Sequence, residues 1–340
     1  VSPTNPSTGA DSATGAAIFR ALFRAARPVA LLGGLLLYAL GAGIASFLGE
    51  RIDGSAYALG QGALLMALLA AAYLREYFDR ASQPPFEQVA RLRRRPAEPP
   101  SPGAGPTAGA DGTGADGSAV PETVEVIVPR LPFLQAAFAA LTAGAALTAL
   151  LAAQGRLSPG AALFLALAYL LGLAWASPPL RLVYSGYGEL VMAILLANLF
   201  PAVAYLLQAG DLHRLLALLT FPLTLLLLAA ALARALQGYM EDIRQGRRTM
   251  MVRAGWQRGM VLHNALVAGA YLALAAAVIN GLEGRLAYPA FLSLPAALYQ
   301  IWQINHIAAG GKPRWRLLGF TALATPALMM YFINLALWTN

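Results

Sequence analysis

Residues 215–237 read LLALLTFPLTLLLLAAALARALQ, a run whose single charge is Arg234. A helix needs about 20 mostly apolar residues to cross a hydrocarbon core of about 30 Å, and this run supplies them. Strands of a membrane barrel would alternate apolar and polar positions over about ten residues, which Leu/Ala blocks of this kind do not. The rest of the chain repeats the pattern. Working outward with Gly, Pro and charge clusters as breaks gives nine such runs: Val29–Leu48, Tyr57–Tyr73, Leu134–Ala153, Ala161–Ala176, Leu190–Leu207, Leu215–Gln237, Val261–Ile279, Ala287–Asn305 and Leu317–Trp338. Over 340 residues, 58% are apolar and 12% charged, against about 45–50% and about 25% in a soluble domain. The expected fold class is an all-α integral membrane protein of nine transmembrane helices. There is no cysteine, which excludes disulfides, zinc-thiolate sites, iron–sulfur clusters and thiol nucleophiles together.

The charges orient the bundle. The chain carries 24 Lys and Arg against 16 Asp and Glu, a net charge of +8. With loops numbered alternately from the N-terminus, twenty of the 24 cations fall on one side, leaving Arg51, Arg156, Arg214 and Arg285 on the other. Basic loops stay in the cytoplasm, so the expected location is the inner (cell) membrane, with the N-terminus cytoplasmic and the C-terminus outside. Residues 1–17, rich in Ser, Thr, Gly, Pro and Ala, read as a disordered tail ahead of a membrane domain over 18–340. Within that domain, residues 84–128 read as a disordered Pro/Gly-rich cytoplasmic loop. Asp111 and Asp116 inside it lack the ligand spacing of a calcium loop.

The chemistry gathers at two junctions about 163 residues apart, where an apolar run turns first aromatic and acidic and then basic. They are Tyr73-Leu74-Arg75-Glu76-Tyr77-Phe78-Asp79-Arg80 and Gln237-Gly238-Tyr239-Met240-Glu241-Asp242-Ile243-Arg244-Gln245-Gly246-Arg247-Arg248-Thr249. The repetition suggests a duplicated helical unit. Glu76 and Asp79 share one helical face, and Asp242 sits at the corresponding edge of the second half. Carboxylates from two facing helices can hold Mg²⁺, and Arg75, Arg244, Arg247 and Arg248 can grip a diphosphate by bidentate hydrogen bonds. A diphosphate at the water edge with its tail among the helices describes a prenyl diphosphate. The plainer alternative is an exposed Arg75–Asp79 pair, worth under about 1 kcal/mol, beside a basic patch for anionic lipid. Glu189, an acid at a membrane edge, is a further candidate, with an anchoring role as its alternative. His213, His263 and His306 are scattered and read as satisfied polar residues. Asn198, Gln303 and Asn305 mark either a polar cavity or hydrogen bonds between helices. Pro201, Pro222, Pro295 and Pro326 are expected to kink their spans.

Ser177-Pro178-Pro179-Leu180-Arg181-Leu182-Val183-Tyr184-Ser185-Gly186-Tyr187-Gly188-Glu189-Leu190, with Gly246-Arg247-Arg248-Thr249 and Val252-Arg253-Ala254-Gly255, resembles the UbiA superfamily of intramembrane prenyltransferases. The branch it looks most like is the one that prenylates dihydroxynaphthoate in menaquinone synthesis. The resemblance implies a pseudo-repeated bundle around a central cavity and transfer of a polyprenyl group from its diphosphate to an aromatic acceptor, a quinone precursor or a pigment. It implies Mg²⁺ as cofactor, held by Glu76, Asp79 and Asp242, and a cavity for acceptor or allylic cation lined by Tyr77, Tyr184, Tyr187, Glu189 and Tyr239, with Trp175 a further aromatic candidate; the alternative role of each aromatic is an interfacial anchor. Membrane lipid and a prenyl diphosphate, isoprenoid quinone or pigment are the implied partners; nucleic acid is not.

The departures from the family pattern carry as much information. The first motif, Asn-Asp-x-x-Asp-x-x-x-Asp, here has Arg75 for the Asn, Glu76 for the first Asp and Gln83 for the last; the second has Gly238 opposite Asp242. Arg75 sets a fixed cation beside a site meant for dications. Two unit charges about 4 Å apart interact by about 4 kcal/mol at an effective dielectric of 20, so metal affinity is expected to fall. The alternative function is therefore a catalytically silent UbiA-fold subunit of a larger membrane complex, holding quinone, pigment or lipid.

Overall fold

A computed structural model describes residues 7–81 and 129–339. Every regular element among them is helical. The helices are α1 (Ser7–Ala25), α2 (Pro28–Phe47), α3 (Gly54–Ala81), α4 (Leu131–Ala153), α5 (Pro159–Ala176), α6 (Gly188–Ala209), α7 (Arg214–Arg244), α8 (Met250–Ala254), α9 (Trp256–Ile279), α10 (Gly284–Ala287), α11 (Leu294–Ala308) and α12 (Trp315–Thr339). Eight of them are long and apolar enough to cross a membrane: α2 to α7, α9 and α12.

The eighth of the nine expected runs differs. Over 287–305 the chain forms the end of α10, a 3₁₀ segment at Pro289–Ser293, and α11. Pro289 opens the 3₁₀ segment and Pro295 lies in the first turn of α11, where a missing N–H and a fixed φ are tolerated. At about 2.0 Å per 3₁₀ residue and about 1.5 Å per α residue, the two segments in series rise about 32 Å. The tail differs too: the 1–17 segment, expected to be disordered, is helical from Ser7 onward, and residues 1–6 lie outside the described residues. The Pro/Gly-rich loop over 84–128 also lies outside them.

The helices pack in the order the junctions require. α3 lies along α4, the helix that follows the first long loop, and α7 lies along α9, which follows the second. α2 packs on the second half of α6, and α12 closes against both α2 and α7. The α2–α6 contact is close because Gly41 has no side chain: a Cβ there would lie 2.1 Å from the Pro201 carbonyl oxygen. Pro201 also shapes α6. It cannot donate to the helix ladder, and the turn before it, Leu195–Leu199, opens into a π-turn. Asn198 in that turn bonds across to α7, donating to Thr224 at 2.9 Å and accepting from Thr220 at 3.1 Å.

Other polar side chains also bond between helices, although Gln303 Nε2 is buried without a hydrogen-bond partner. Gln300 joins His263 Nε2 at 2.8 Å and accepts from Thr325 at 3.0 Å. Gln303 accepts from Thr321, and Asn264 donates to Asn305. His213 caps α7, and His306 stacks on Trp302. Between the two readings of Asn198, Gln303 and Asn305, the hydrogen bonds place all three in helix–helix contacts.

The end opposite the junctions is tied by Asp53. Its carboxylate accepts from Ser55 and Ala56 at the start of α3 and pairs with Arg156 at 2.5 Å, while its own N–H donates to Gln208 at 2.8 Å. The Ser55 bond, foremost, holds the Asp53 carboxyl below its ordinary range.

Candidate functional site

Both junctions remain helical beyond their apolar runs, for a local reason. Arg75 and Asp79, and Glu76 and Arg80, are i, i+4 pairs that hold the last turns of α3 together. α7 likewise runs on to Arg244 and ends where Gly246 takes φ +66, with Arg247 N–H donating to the Asp242 carbonyl at 2.8 Å. Between them comes the loop after α5. Trp175 pins it, its indole N–H donating to the Gly188 carbonyl at 3.0 Å. Arg181 within it holds a left-handed φ of 39°, a conformation that costs an Arg roughly 1–2 kcal/mol.

That turn delivers Arg181 to the first junction. Asp79 accepts from Arg181 Nη2 at 2.6 Å through Oδ1 and from the Tyr184 hydroxyl at 2.7 Å through Oδ2, and Arg75 Nε lies 3.5 Å from Oδ2. Arg75 also donates to the Tyr184 hydroxyl at 3.5 Å and lies 5.3 Å from the Trp175 ring centre. The Tyr184 ring is common to three guanidinium groups: Arg75 at 5.7 Å, Arg181 at 5.1 Å and Arg247 at 5.0 Å from its centre. Cations over an aromatic face are drawn to its quadrupole. Burial foremost, with Asp79 adding to it and Arg75 opposing, pushes the Tyr184 hydroxyl above its ordinary pKa.

The second junction meets the same cluster. Asp242 pairs with Arg247 at 3.9 Å and accepts from Thr249 at 3.4 Å. Glu189 accepts from the Met250 N–H through both oxygens, at 3.2 and 3.3 Å, and lies within electrostatic reach of Asp242 and Arg75. Arg253 closes the edge: it donates to the Ser185 carbonyl at 3.3 Å, lies 4.6 Å from the Tyr187 ring centre, and fills the space a Gly186 side chain would need.

Of the residues singled out in the sequence, Arg75, Asp79, Tyr184, Glu189, Asp242 and Arg247 therefore meet, with Tyr187 at the rim. Five others stand apart. Glu76 is taken by Arg80, Tyr77 lies against Phe78 and Arg130, and Tyr239 packs into a separate apolar cluster with Met250 and Met251. Arg244 and Arg248 are exposed. Arg181 was not among the expected site residues, yet it makes the shortest ion contact there. Its signals in the sequence are that it is the sole cation of its loop and that it lies within the Ser177–Leu190 segment that carries the resemblance.

Magnesium takes oxygen ligands at about 2.0–2.1 Å and needs carboxylates that can turn toward it. Among the described residues no group of three or more His, Asp or Glu side chains is gathered to hold a metal. Both Asp79 oxygens are engaged by donors, and Asp242 faces Arg247. The residues present do not fit a pair of magnesium ions.

Fold and site together define a multi-pass helical membrane protein with a charged cluster at one end of the bundle, built by the ends of α3 and α7, the start of α6 and the loops after α5 and α7. Residues 129–323 match the UbiA prenyltransferase family, and the chain belongs to it. Over 136 residues it is 28% identical to a 1,4-dihydroxy-2-naphthoate octaprenyltransferase of Bacillus subtilis (strain 168). That stretch is 39% of this chain and 44% of the relative, so the match spans less than half of the relative's length. The fold is similar to that of a UbiA homolog from Archaeoglobus fulgidus bound to GPP and Mg²⁺, with a TM-score of 0.59 at 17% identity over 92% of this chain and 99% of that one. The same homolog bound to DMAPP and Mg²⁺ gives a TM-score of 0.58 at 18% identity, over 92% and 98%.

Proposed function

We propose that this chain is an inner-membrane prenyltransferase, N-terminus cytoplasmic and C-terminus outside. It takes a polyprenyl diphosphate and passes the prenyl group to an aromatic acceptor of the quinone-precursor class, and its metal-binding motif is decayed. The observation that carries this reading is the convergence of Arg75, Arg181 and Arg247 on Tyr184 at the end of an apolar bundle. Guanidinium groups match phosphate oxygens in geometry and charge, while the helices offer an apolar bed in which each buried CH₂ of a tail is worth about 0.8 kcal/mol. The relative named for dihydroxynaphthoate and the homolog bound to GPP support the two substrate classes.

In the transfer, the bond between the allylic carbon and the diphosphate oxygen breaks and the diphosphate keeps the electron pair, held by the arginines. The allylic carbon bonds to an electron-rich ring carbon, whose proton passes to the Glu189 carboxylate and on to water. The aromatic faces of Tyr184 and Tyr187 steady the cation meanwhile. The test is a product assay with purified protein, geranylgeranyl diphosphate and 1,4-dihydroxy-2-naphthoate, read by mass spectrometry. A prenylated ring, lost in Arg181→Gln, is expected.

A second reading, a silent subunit of a larger membrane complex, is favoured by one observation: Asp79 is already neutralised within the chain. A chain that yields no prenylated ring from a range of acceptors, while co-purifying with quinone, pigment or protein partners, decides for that reading.

A further inference from the structure

The geometry points to a diphosphate site that works without a divalent cation: Arg75, Arg181 and Arg247, gathered at Tyr184, supply the positive charge that metal ions would otherwise bring. The inference rests on the proposed prenyl diphosphate specificity and adds what neutralises that substrate's charge.

Three observations lead there. The first is charge. Asp79 lies between two guanidinium groups, so the Arg75–Asp79–Arg181 group keeps a net positive charge, while Asp242 offsets Arg247 beside it. The second is donor capacity. Each guanidinium offers five N–H donors, and the contacts that Arg75 makes to Asp79 and to the Tyr184 hydroxyl, both at 3.5 Å, are long enough for a phosphate oxygen to displace. The third is preorganisation. Trp175 and Tyr184 flank Arg75 at 5.3 and 5.7 Å, and Arg181 is held by a left-handed backbone turn. Side chains already ordered lose less entropy when a ligand arrives. Backbone strain sustained by a salt bridge is also characteristic of sites where a side chain must be aimed.

The carboxylates then change role. In a metal site Asp79 would be a ligand, and its removal would abolish binding. Here it orients the arginines and competes with the incoming phosphate for their N–H groups. The two accounts predict opposite signs for Asp79→Asn, and a structural defect does not produce a gain.

The test is calorimetric titration of the full-length purified protein with geranylgeranyl S-thiolodiphosphate, in EDTA and in Mg²⁺. Geranylgeraniol serves as a probe of the tail site and of folding. Affinity in EDTA within about threefold of that in Mg²⁺ is expected, and Asp79→Asn should match or exceed the wild type. Arg75→Gln and Arg181→Gln should each weaken binding at least about tenfold, the worth of a lost charged hydrogen bond, with geranylgeraniol binding unchanged. Binding that vanishes in EDTA and in Asp79→Asn overturns the inference and leaves the prenyl diphosphate reading standing. A protein that binds geranylgeraniol but no thiolodiphosphate in either buffer overturns both.

Discussion

Arg181→Gln probes the joint between the loop after α5 and the first junction. The bond it removes is 2.6 Å long, between side chains 24% and 13% exposed. Breaking a buried ion pair costs about 3–5 kcal/mol, and an exposed one is worth about 0–1. This pair lies between the limits. Arg75 stays 3.5 Å from the other Asp79 oxygen and Tyr184 still donates to it, so the carboxylate is not stranded. A coupling of about 2 kcal/mol between Arg181 and Asp79 follows. The assay is a double-mutant cycle of wild type, Arg181→Gln, Asp79→Asn and the pair, unfolded by SDS in mixed micelles and followed by tryptophan fluorescence. Both single variants should lose stability, and the double variant little more than either. Additive losses, with coupling below about 0.5 kcal/mol, would refute the claim that Arg181 is held in its strained turn by Asp79.

Three further expectations test other parts of the structure. Because the Tyr184 hydroxyl titrates above its ordinary value of 10.0, its donation to Asp79 is fully present below pH 10 and is lost only as pH rises through the raised value; wild type minus Tyr184→Phe, in phenolate absorbance against pH, should show one late-titrating tyrosine. Asp53 titrates below its ordinary 3.8, so its contribution is present above that value and lost as pH falls through the lowered one; melting temperature between about pH 5 and 2 should fall less in Asp53→Asn than in wild type. Gly41→Ala places a methyl group against the Pro201 backbone and should destabilise by about 1–3 kcal/mol or more in SDS unfolding. Gly33→Ala on the same helix meets nothing within 4 Å and should be neutral or slightly stabilising.

The bundle was legible because membrane helices announce themselves by length and composition. The starts and ends of α2, α4 and α5 fall within a few residues of the apolar runs. What composition does not encode is helix that continues into water. α3 reaches Ala81, well past Tyr73, because its charges pair at i, i+4. The proline effects in the sequence were legible in kind and not in place: Pro201 yields a π-turn one residue before itself, and Pro289 and Pro295 divide an expected span.

In the site, Asp79 and Asp242 were legible from the repeated junctions, and Arg75 was legible as a departure from the motif. Arg181 was not, because its role depends on a backbone reversal that brings it to a residue 102 positions away. No local pattern carries that information. The tyrosines show the same limit: nothing in spacing separates Tyr184, which three arginines surround, from Tyr239, which packs among methionines.

The most direct measurement is single-turnover release of diphosphate from geranylgeranyl diphosphate in the presence of dihydroxynaphthoate, in EDTA and in Mg²⁺, for wild type, Asp79→Asn and Arg75→Gln. Release that persists in EDTA and in Asp79→Asn but collapses in Arg75→Gln is the predicted result. Release that requires Mg²⁺ and disappears in Asp79→Asn would contradict the account.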